Sequence, residues 1–276
     1  MHPGRRERDR RGMLTRSEKN APSTLLATEV VEPVRRPSRL RRTGLVAAGL
    51  LACALPTVFT INITRMLLDG ELSEHRFHQL TGQGLVLFAL WLGGLVPLIR
   101  AGWSGRRPSS LAGWLHVVFM VTGVVCAAAA TGGGAPYLVG IIVVTGALVW
   151  LALPVRPRLR LPARIDPALA PVAFVAAAVS TPYVLDQIAL QNAAIGHHAQ
   201  NPHFFDMAWL VTALVGMAML AALLPGVRRL AAAAGAGLAW TGLMGVVLLD
   251  TDRPFMVLAL ATGAALVAIS ARRTRR

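Results

Sequence analysis

The chain has 276 residues, of which 54% are hydrophobic, and carries a formal net charge of +15 at pH 7. Its mean hydropathy of +0.55 is too high for an ordinary soluble domain of this size. The charge does not indicate a nucleic-acid-binding protein, because the basic residues are distributed between long apolar segments instead of forming one patch. The composition therefore predicts a multi-pass membrane protein.

The N-terminal segment, residues 1–43, contains 12 of the 28 basic residues. It is rich in Arg, Pro, Ser and Glu and lacks apolar periodicity, which predicts a disordered cytoplasmic tail. Its last part, Arg35-Arg36-Pro37-Ser38-Arg39-Leu40-Arg41-Arg42, is a basic cluster directly before the first apolar run. Such a cluster serves as a topology anchor and is suited to binding anionic lipid headgroups.

Seven runs without Asp, Glu, Lys or Arg follow this tail. A bilayer core about 30 Å thick is crossed by roughly 20 apolar residues in helical form. The longest run, Pro108–Val155, suffices for two spans and is divided by Thr131-Gly-Gly-Gly-Ala-Pro136. These runs are continuously apolar, whereas the strands of a membrane barrel alternate between apolar and polar residues. The runs therefore predict helices and not barrel strands. The chain is thus predicted to be all-α, with eight transmembrane helices at about 44–68, 82–100, 110–131, 136–153, 168–190, 206–224, 229–249 and 254–271.

The basic residues outside the tail alternate with these helices. Thirteen lie in segments that eight spans put on the same side as the tail: 100–107, 156–164, 228–229 and 272–276. Only Arg65, Arg76 and Arg253 remain for the other side. This positive-inside pattern predicts that both termini are cytoplasmic and that the chain lies in the plasma membrane.

Two further features of composition are informative. Lys19 is the single lysine while Arg, Ala and Gly are abundant, which is typical of a GC-rich bacterial genome. Cys53 and Cys126 both fall inside predicted spans, so the sequence does not indicate a disulfide framework.

An internal repeat relates the two halves of the chain. Gly123-Val-Val125 and Val144-Thr-Gly-Ala-Leu-Val149 reappear in order as Gly245-Val-Val247 and Ala261-Thr-Gly-Ala-Ala-Leu266. We therefore expect two similar four-helix repeats, residues 44–153 and 168–271, joined by an Arg/Pro-rich cytoplasmic linker at 154–167 and followed by a basic end at 272–276. Because each repeat has an even number of spans, the halves share one orientation about an axis along the membrane normal.

Five of the seven histidines fall in two predicted outer loops that the repeat makes equivalent. Imidazole and carboxylate groups suit a divalent transition metal, and the pseudo-twofold axis could bring His78 and His203 together. Alternatively, these histidines belong to an interfacial belt with the neighbouring aromatic residues, or respond to protons. The predicted metal ligands are His75, His78, His197, His198, His203 and Asp206. Haem is disfavoured, because His116 is the only histidine inside a span.

Polar residues inside the spans form a second candidate site. Asp186 and Gln187 lie late in predicted helix 5, and Asn62 and Arg65 occupy a comparable depth in helix 1. Ionisable groups in spans are costly and are often functional, so a polar ligand pocket with an Arg65–Asp186 pair is predicted. The competing interpretation is that both charges snorkel to the nearby membrane surface.

The sequence leaves three functions open. The first is a small transporter, or the membrane subunit of a transport system, that binds a ligand or metal ion at its outer face. The second is a membrane enzyme using outer-face His/Asp chemistry on a lipid or envelope substrate, and the third is a non-catalytic scaffold or protein partner. The predicted partners are the bilayer and anionic lipid headgroups, with no nucleic acid.

Overall fold

The apolar runs fold into helices, as their length and continuous hydrophobicity predict. The computed structural model describes residues 37–69, 76–160, 164–249 and 252–272. The helices in these ranges are α1 Arg39–Asp69, α2 Arg76–Leu80, α3 Leu85–Trp103, α4 Ser110–Ala129, α5 Ala135–Ala152, α6 Leu169–Ala193, α7 His197–Gln200, α8 His203–Leu223, α9 Arg229–Leu248 and α10 Arg253–Arg272.

Eight of the described segments are long and apolar enough to cross a membrane, which confirms the predicted number of spans in this part of the chain. Two of these segments are interrupted helices. The segment Arg76–Trp103 consists of α2 and α3, and the segment His198–Leu223 consists of the end of α7 followed by α8. The breaks occur at Thr81–Gly84 and at Asn201–Pro202. Both breaks lie at the same end of the molecule. The second and sixth spans therefore each begin with a short helix, a break and then a long helix.

The first helix begins earlier than predicted. α1 starts at Arg39, inside the segment predicted as tail, because Ser38 Oγ accepts a hydrogen bond of 3.3 Å from the backbone N–H of Arg41. This is the pattern of a serine that caps a helix N-terminus. The basic cluster thus contributes the first turn of α1, while residues 1–36 lie outside the described residues.

The long helices pack as two four-membered rings. In the first half, α1 packs against α3 and α5, and α4 packs against the same two helices. In the second half, α6 packs against α8 and α10, and α9 packs against the same two. Each helix therefore has the neighbours that its counterpart has in the other half, an arrangement that duplication predicts. The duplication itself remains a prediction.

The two rings contact each other at two pairs of spans, among others. On one side α4 packs against α8, where Trp209 Nε1 donates a 3.0 Å hydrogen bond to the Phe119 carbonyl. On the other, α2 packs against α9, where Trp240 Nε1 donates to the Leu80 carbonyl at 2.9 Å. The predicted twofold axis would relate the contact between spans 3 and 6 to the contact between spans 7 and 2. An indole N–H bonds a backbone carbonyl at both contacts.

The two ends of the helical bundle differ in chemistry. We call the end with residues 104–109, 153–160, 164–168 and 224–228 the arginine end, and the end with residues 76–84, 130–134 and 194–202 the histidine end. At the arginine end, Arg41 Nη2 donates to the Leu153 carbonyl at 3.1 Å, and Arg228 forms a 2.8 Å salt bridge with Asp166. Polar side chains therefore fix the helix ends here in both halves.

Candidate functional site

The break between α2 and α3 positions His78 at the histidine end. The backbone N–H groups of Thr81 and Gln83 both donate to the His78 carbonyl, at 3.3 and 2.8 Å. Gly82 allows this turn to lie against α8, because a Cβ there would be 2.9 Å from the carbonyl carbon of Asp206. A larger residue at position 82 would therefore separate the turn from the start of α8.

The second histidine segment is held by a buried glutamine. Gln191 Oε1 accepts a 3.2 Å hydrogen bond from the Phe205 backbone N–H, and its Nε2 donates to the His198 carbonyl at 3.5 Å. A third bond joins the two segments, because Gln83 Nε2 donates to Asn201 Oδ1 at 2.7 Å. Amide side chains thus fix α7 and the first turn of α8 against the α2–α3 turn.

Three imidazole rings meet between these segments. The centroids of His78 and His203 are 5.6 Å apart, and those of His198 and His203 are 5.7 Å apart. Phe204 contacts the cluster from one side, at 6.3 Å from His78 and 5.7 Å from His198. His78 and His203, which the predicted repeat would make equivalent, therefore lie side by side.

The side chains of this site differ in their exposure to solvent. His198 is exposed, His78 is half-buried, and His203 and Asp206 are each only 3% exposed. Asp206 follows His203 at i+3, so the two share one face of α8. Asp206 Oδ1 is buried and has no hydrogen-bond partner among the described residues. The site thus leads from the surface to a buried carboxyl group that needs a partner.

The metal-ligand prediction is not settled by this geometry. Within the described ranges, no group of three His, Cys, Asp or Glu side chains is arranged to hold a metal ion. His75 lies outside the described residues, and His197 is the first residue of α7. A shared ion would require the three contacting rings to turn their nitrogens towards one point.

The residues of the second candidate site lie on two helices, α1 and α6, that pack mainly against other neighbours. Asn62 and Arg65 are exposed on α1, and Asp186 is exposed on α6. α1 packs against α3 and α5, whereas α6 packs against α8 and α10, and no ion pair joins Arg65 to Asp186. Only Gln187 is buried, and its Oε1 has no partner in the described part of the chain. The ligand-binding role of these four residues remains a prediction.

His116, the single histidine well inside a span, is part of a separate aromatic stack. Its ring lies between Trp91 and Trp150, at centroid distances of 5.0 and 5.8 Å. Its Nε2 lies 3.2 Å from the Gly146 carbonyl, which assigns the ring proton to that nitrogen. This arrangement is that of a packed core histidine joining α4 to α5.

Two buried glutamines, Gln79 and Gln191, were not among the predicted site residues. Gln79 and Gln191 are at most 1% exposed, and Gln191 determines where His198 and His203 lie. One signal was available: Tyr183, Gln187 and Gln191 follow one another at intervals of four, which puts two glutamines and a tyrosine on one helix face.

Comparisons with known proteins found no family model, no curated protein and no solved structure that matches this chain.

Proposed function

We propose that this multi-pass membrane protein binds a cationic ligand at its histidine end, as a small transporter or as the membrane subunit of a transport system. The observation that carries this proposal is the contact between His78 and His203 beside the buried carboxyl group of Asp206. Divalent transition metal ions are the cations that imidazole and carboxylate groups bind together most readily.

The unsatisfied carboxyl oxygen supports a positively charged ligand. A buried polar atom without a hydrogen bond costs on the order of 1–3 kcal/mol, and more if it is charged. Such atoms are rare in native proteins, and a bound ion is one of the features that account for them. Asp206 Oδ1 has no donor in the described structure, and His203 precedes Asp206 by three residues on the same face of α8.

The position of the site supports a role in transport. It lies where the starts of the second and sixth spans meet, which is the predicted interface between the two repeats. Transporters built from repeats commonly hold their substrates at such an interface, beside interrupted helices. The α2–α3 and α7–α8 breaks are two such interruptions. The positive-inside pattern supports an outward-facing histidine end in the plasma membrane.

The first test is calorimetric titration of detergent-purified protein with Zn²⁺. We expect saturable binding that His203→Ala and Asp206→Asn each weaken at least about tenfold, because the first removes an imidazole ligand and the second removes the negative charge of the carboxylate. Phe204→Leu is the matched control, since Phe204 contacts the same rings but offers no ligand atom. Unchanged binding in His203→Ala, or no binding by the parent protein, would refute the site.

A second measurement distinguishes a transporter from the membrane subunit of a transport system. Proteoliposomes are loaded with a Zn²⁺-sensitive dye, and influx is compared between the parent protein and Asp206→Asn. Influx that depends on Asp206 identifies a transporter. Binding without influx identifies a membrane subunit that delivers or senses the cation and requires a partner for transport.

A further inference from the structure

A groove between α1 and α3 at the arginine end has the chemistry of a lipid site. It encloses about 330 Å³ and is lined by Val46, Val96, Ile99, Arg100 and Trp103. Apart from the Arg100 side chain, every lining residue is apolar. The groove therefore fits a hydrocarbon chain better than it fits a polar solute.

Close helix contacts form the floor of this groove. A Cβ at Gly49 would lie 3.2 Å from Cγ1 of Ile99, and a Cβ at Gly102 would lie 3.0 Å from Cδ2 of Leu153. These glycines allow α1, α3 and the end of α5 to pack tightly behind the lining residues. Val96 and Trp103 are about half exposed, at 52% and 51%, so the groove opens along the outer surface of the bundle.

Two arginines stand one helical turn beyond the apolar lining. Arg42 precedes Val46 by four residues on α1, and Arg100 follows Val96 by four on α3, so both lie towards the arginine end. The Arg42 guanidinium lies 5.8 Å from the centre of the Trp103 ring, and its Nε is buried without an acceptor among the described residues. By contrast, the neighbouring Arg41 already donates to the Leu153 carbonyl.

We propose that this groove binds an anionic phospholipid, with one acyl chain along Val46, Val96 and Ile99 and the phosphate held by Arg42 and Arg100. The apolar lining supplies the affinity for the chain, and the guanidinium donors that flank it supply the preference for an anionic headgroup. Trp103 fits this site as an indole at the level of the headgroups. The proposal does not depend on the function of the histidine end.

Native mass spectrometry of the detergent-purified full chain tests this site with phosphatidylglycerol and phosphatidylcholine as probes. We expect the parent protein to retain phosphatidylglycerol about tenfold more strongly than phosphatidylcholine. The double variant Arg42→Gln/Arg100→Gln should lose this preference. Arg229→Gln is the matched control, because it removes an exposed charge at the arginine end on α9, a helix that does not line the groove.

A second variant separates groove binding from general attraction to a basic surface. Val46→Trp fills the groove and leaves every arginine in place, so we expect it to lower retention of both lipids; Val96→Trp serves the same purpose if Val46→Trp does not fold. Retention unchanged in either folded tryptophan variant, or an intact preference in the double arginine variant, would overturn the proposal. Size-exclusion profiles and melting temperatures establish that each variant is folded.

Discussion

The indole Nε1 of Trp91 donates a 3.0 Å hydrogen bond to the backbone carbonyl of Ala52. Ala52 lies four residues before Pro56, and a proline inside a helix cannot donate to the carbonyl at i−4. Within a bilayer such a carbonyl has no water to accept from. Trp91 on α3 therefore supplies the donor that Pro56 removes from α1, and it joins the two helices at the position of the proline.

This relationship can be tested with a double-mutant cycle. Trp91→Phe keeps an aromatic ring but removes the donor, so we expect it to lower the free energy of unfolding by on the order of 1–2 kcal/mol. In a Pro56→Ala background the helix regains its own donor, and the same substitution should cost measurably less. Unfolding of detergent-purified protein, followed by circular dichroism, gives the coupling between the two positions. Equal costs in both backgrounds would show that Trp91 stabilises α1 only by packing.

The salt bridge at the arginine end provides a second test. Asp166 Oδ1 accepts from the backbone N–H groups of Ala168 and Leu169 at the start of α6, while Oδ2 accepts from Arg228 at 2.8 Å. Arg228 also donates to the Ile269 carbonyl near the end of α10. We expect Arg228→Ala to destabilise the protein by on the order of 3 kcal/mol, because it removes a salt bridge from the nearly buried Asp166 carboxylate and a hydrogen bond from the Ile269 carbonyl.

The control for this prediction is the next residue in the chain. Arg229 is exposed, so Arg229→Ala removes the same charge without uncovering a buried group, and its cost should stay near zero. Thermal unfolding monitored by fluorescence-detection size-exclusion chromatography compares the two variants directly. Similar melting temperatures for Arg228→Ala and Arg229→Ala would contradict a structural role for the bridge.

The sequence predicts the number and extent of the helices well, because crossing a hydrocarbon core demands about 20 apolar residues and little else has that signature. It does not predict which side of each helix faces the protein. Asp186 and Gln187 are adjacent on α6, yet Asp186 is exposed and Gln187 is buried. Since the lipid-facing and protein-facing sides of a transmembrane helix are both apolar, hydrophobicity cannot distinguish these neighbours.

Contacts between residues distant in the sequence could be predicted only where the predicted repeat related the two segments that carry them. Equivalence of the two loops suggested that His78 and His203 meet, and their rings are 5.6 Å apart. The expected Arg65–Asp186 pair had no such basis, since it assumed direct contact between two helices that pack against other neighbours. The spacing of residues along one helix shows which of them share a face of that helix. It does not show which other helix packs against that face, because that depends on contacts between segments distant in the sequence.

The orientation of the bundle is a third testable prediction. The basic residues concentrate on the side of the tail, so that side should be cytoplasmic. Periplasmic-activity reporters are expected to be active when fused after residues 72, 134, 200 and 251, and inactive when fused after residues 104, 160, 227 and 276. A reporter that is inactive after residue 200 would remove the histidine end from the outer face, and with it the proposed uptake from outside.

The last prediction concerns the loop that supports α7. Gly133 has φ of +62°, and a Cβ at this position would overlap the carbonyl oxygen of Ala199, which also accepts a 2.9 Å hydrogen bond from the Gly134 N–H. A left-handed backbone alone costs a non-glycine residue about 1–2 kcal/mol. Gly133→Ala should therefore lower the melting temperature and displace the segment that carries His198, which weakens Zn²⁺ binding at the histidine end.

Gly140→Ala is the matched control for this substitution. Gly140 lies in α5, and no heavy atom beyond its chain neighbours and the nearby α5 backbone lies within 4 Å of the position that its Cβ would take. Alanine is the better helix former by about 1 kcal/mol, so this variant should be at least as stable as the parent protein and should bind Zn²⁺ equally well. If Gly133→Ala and Gly140→Ala behave alike in both measurements, the 130–134 loop does not hold α7. The position of His198 would then depend on the hydrogen bonds of Gln191 and Gln83 instead.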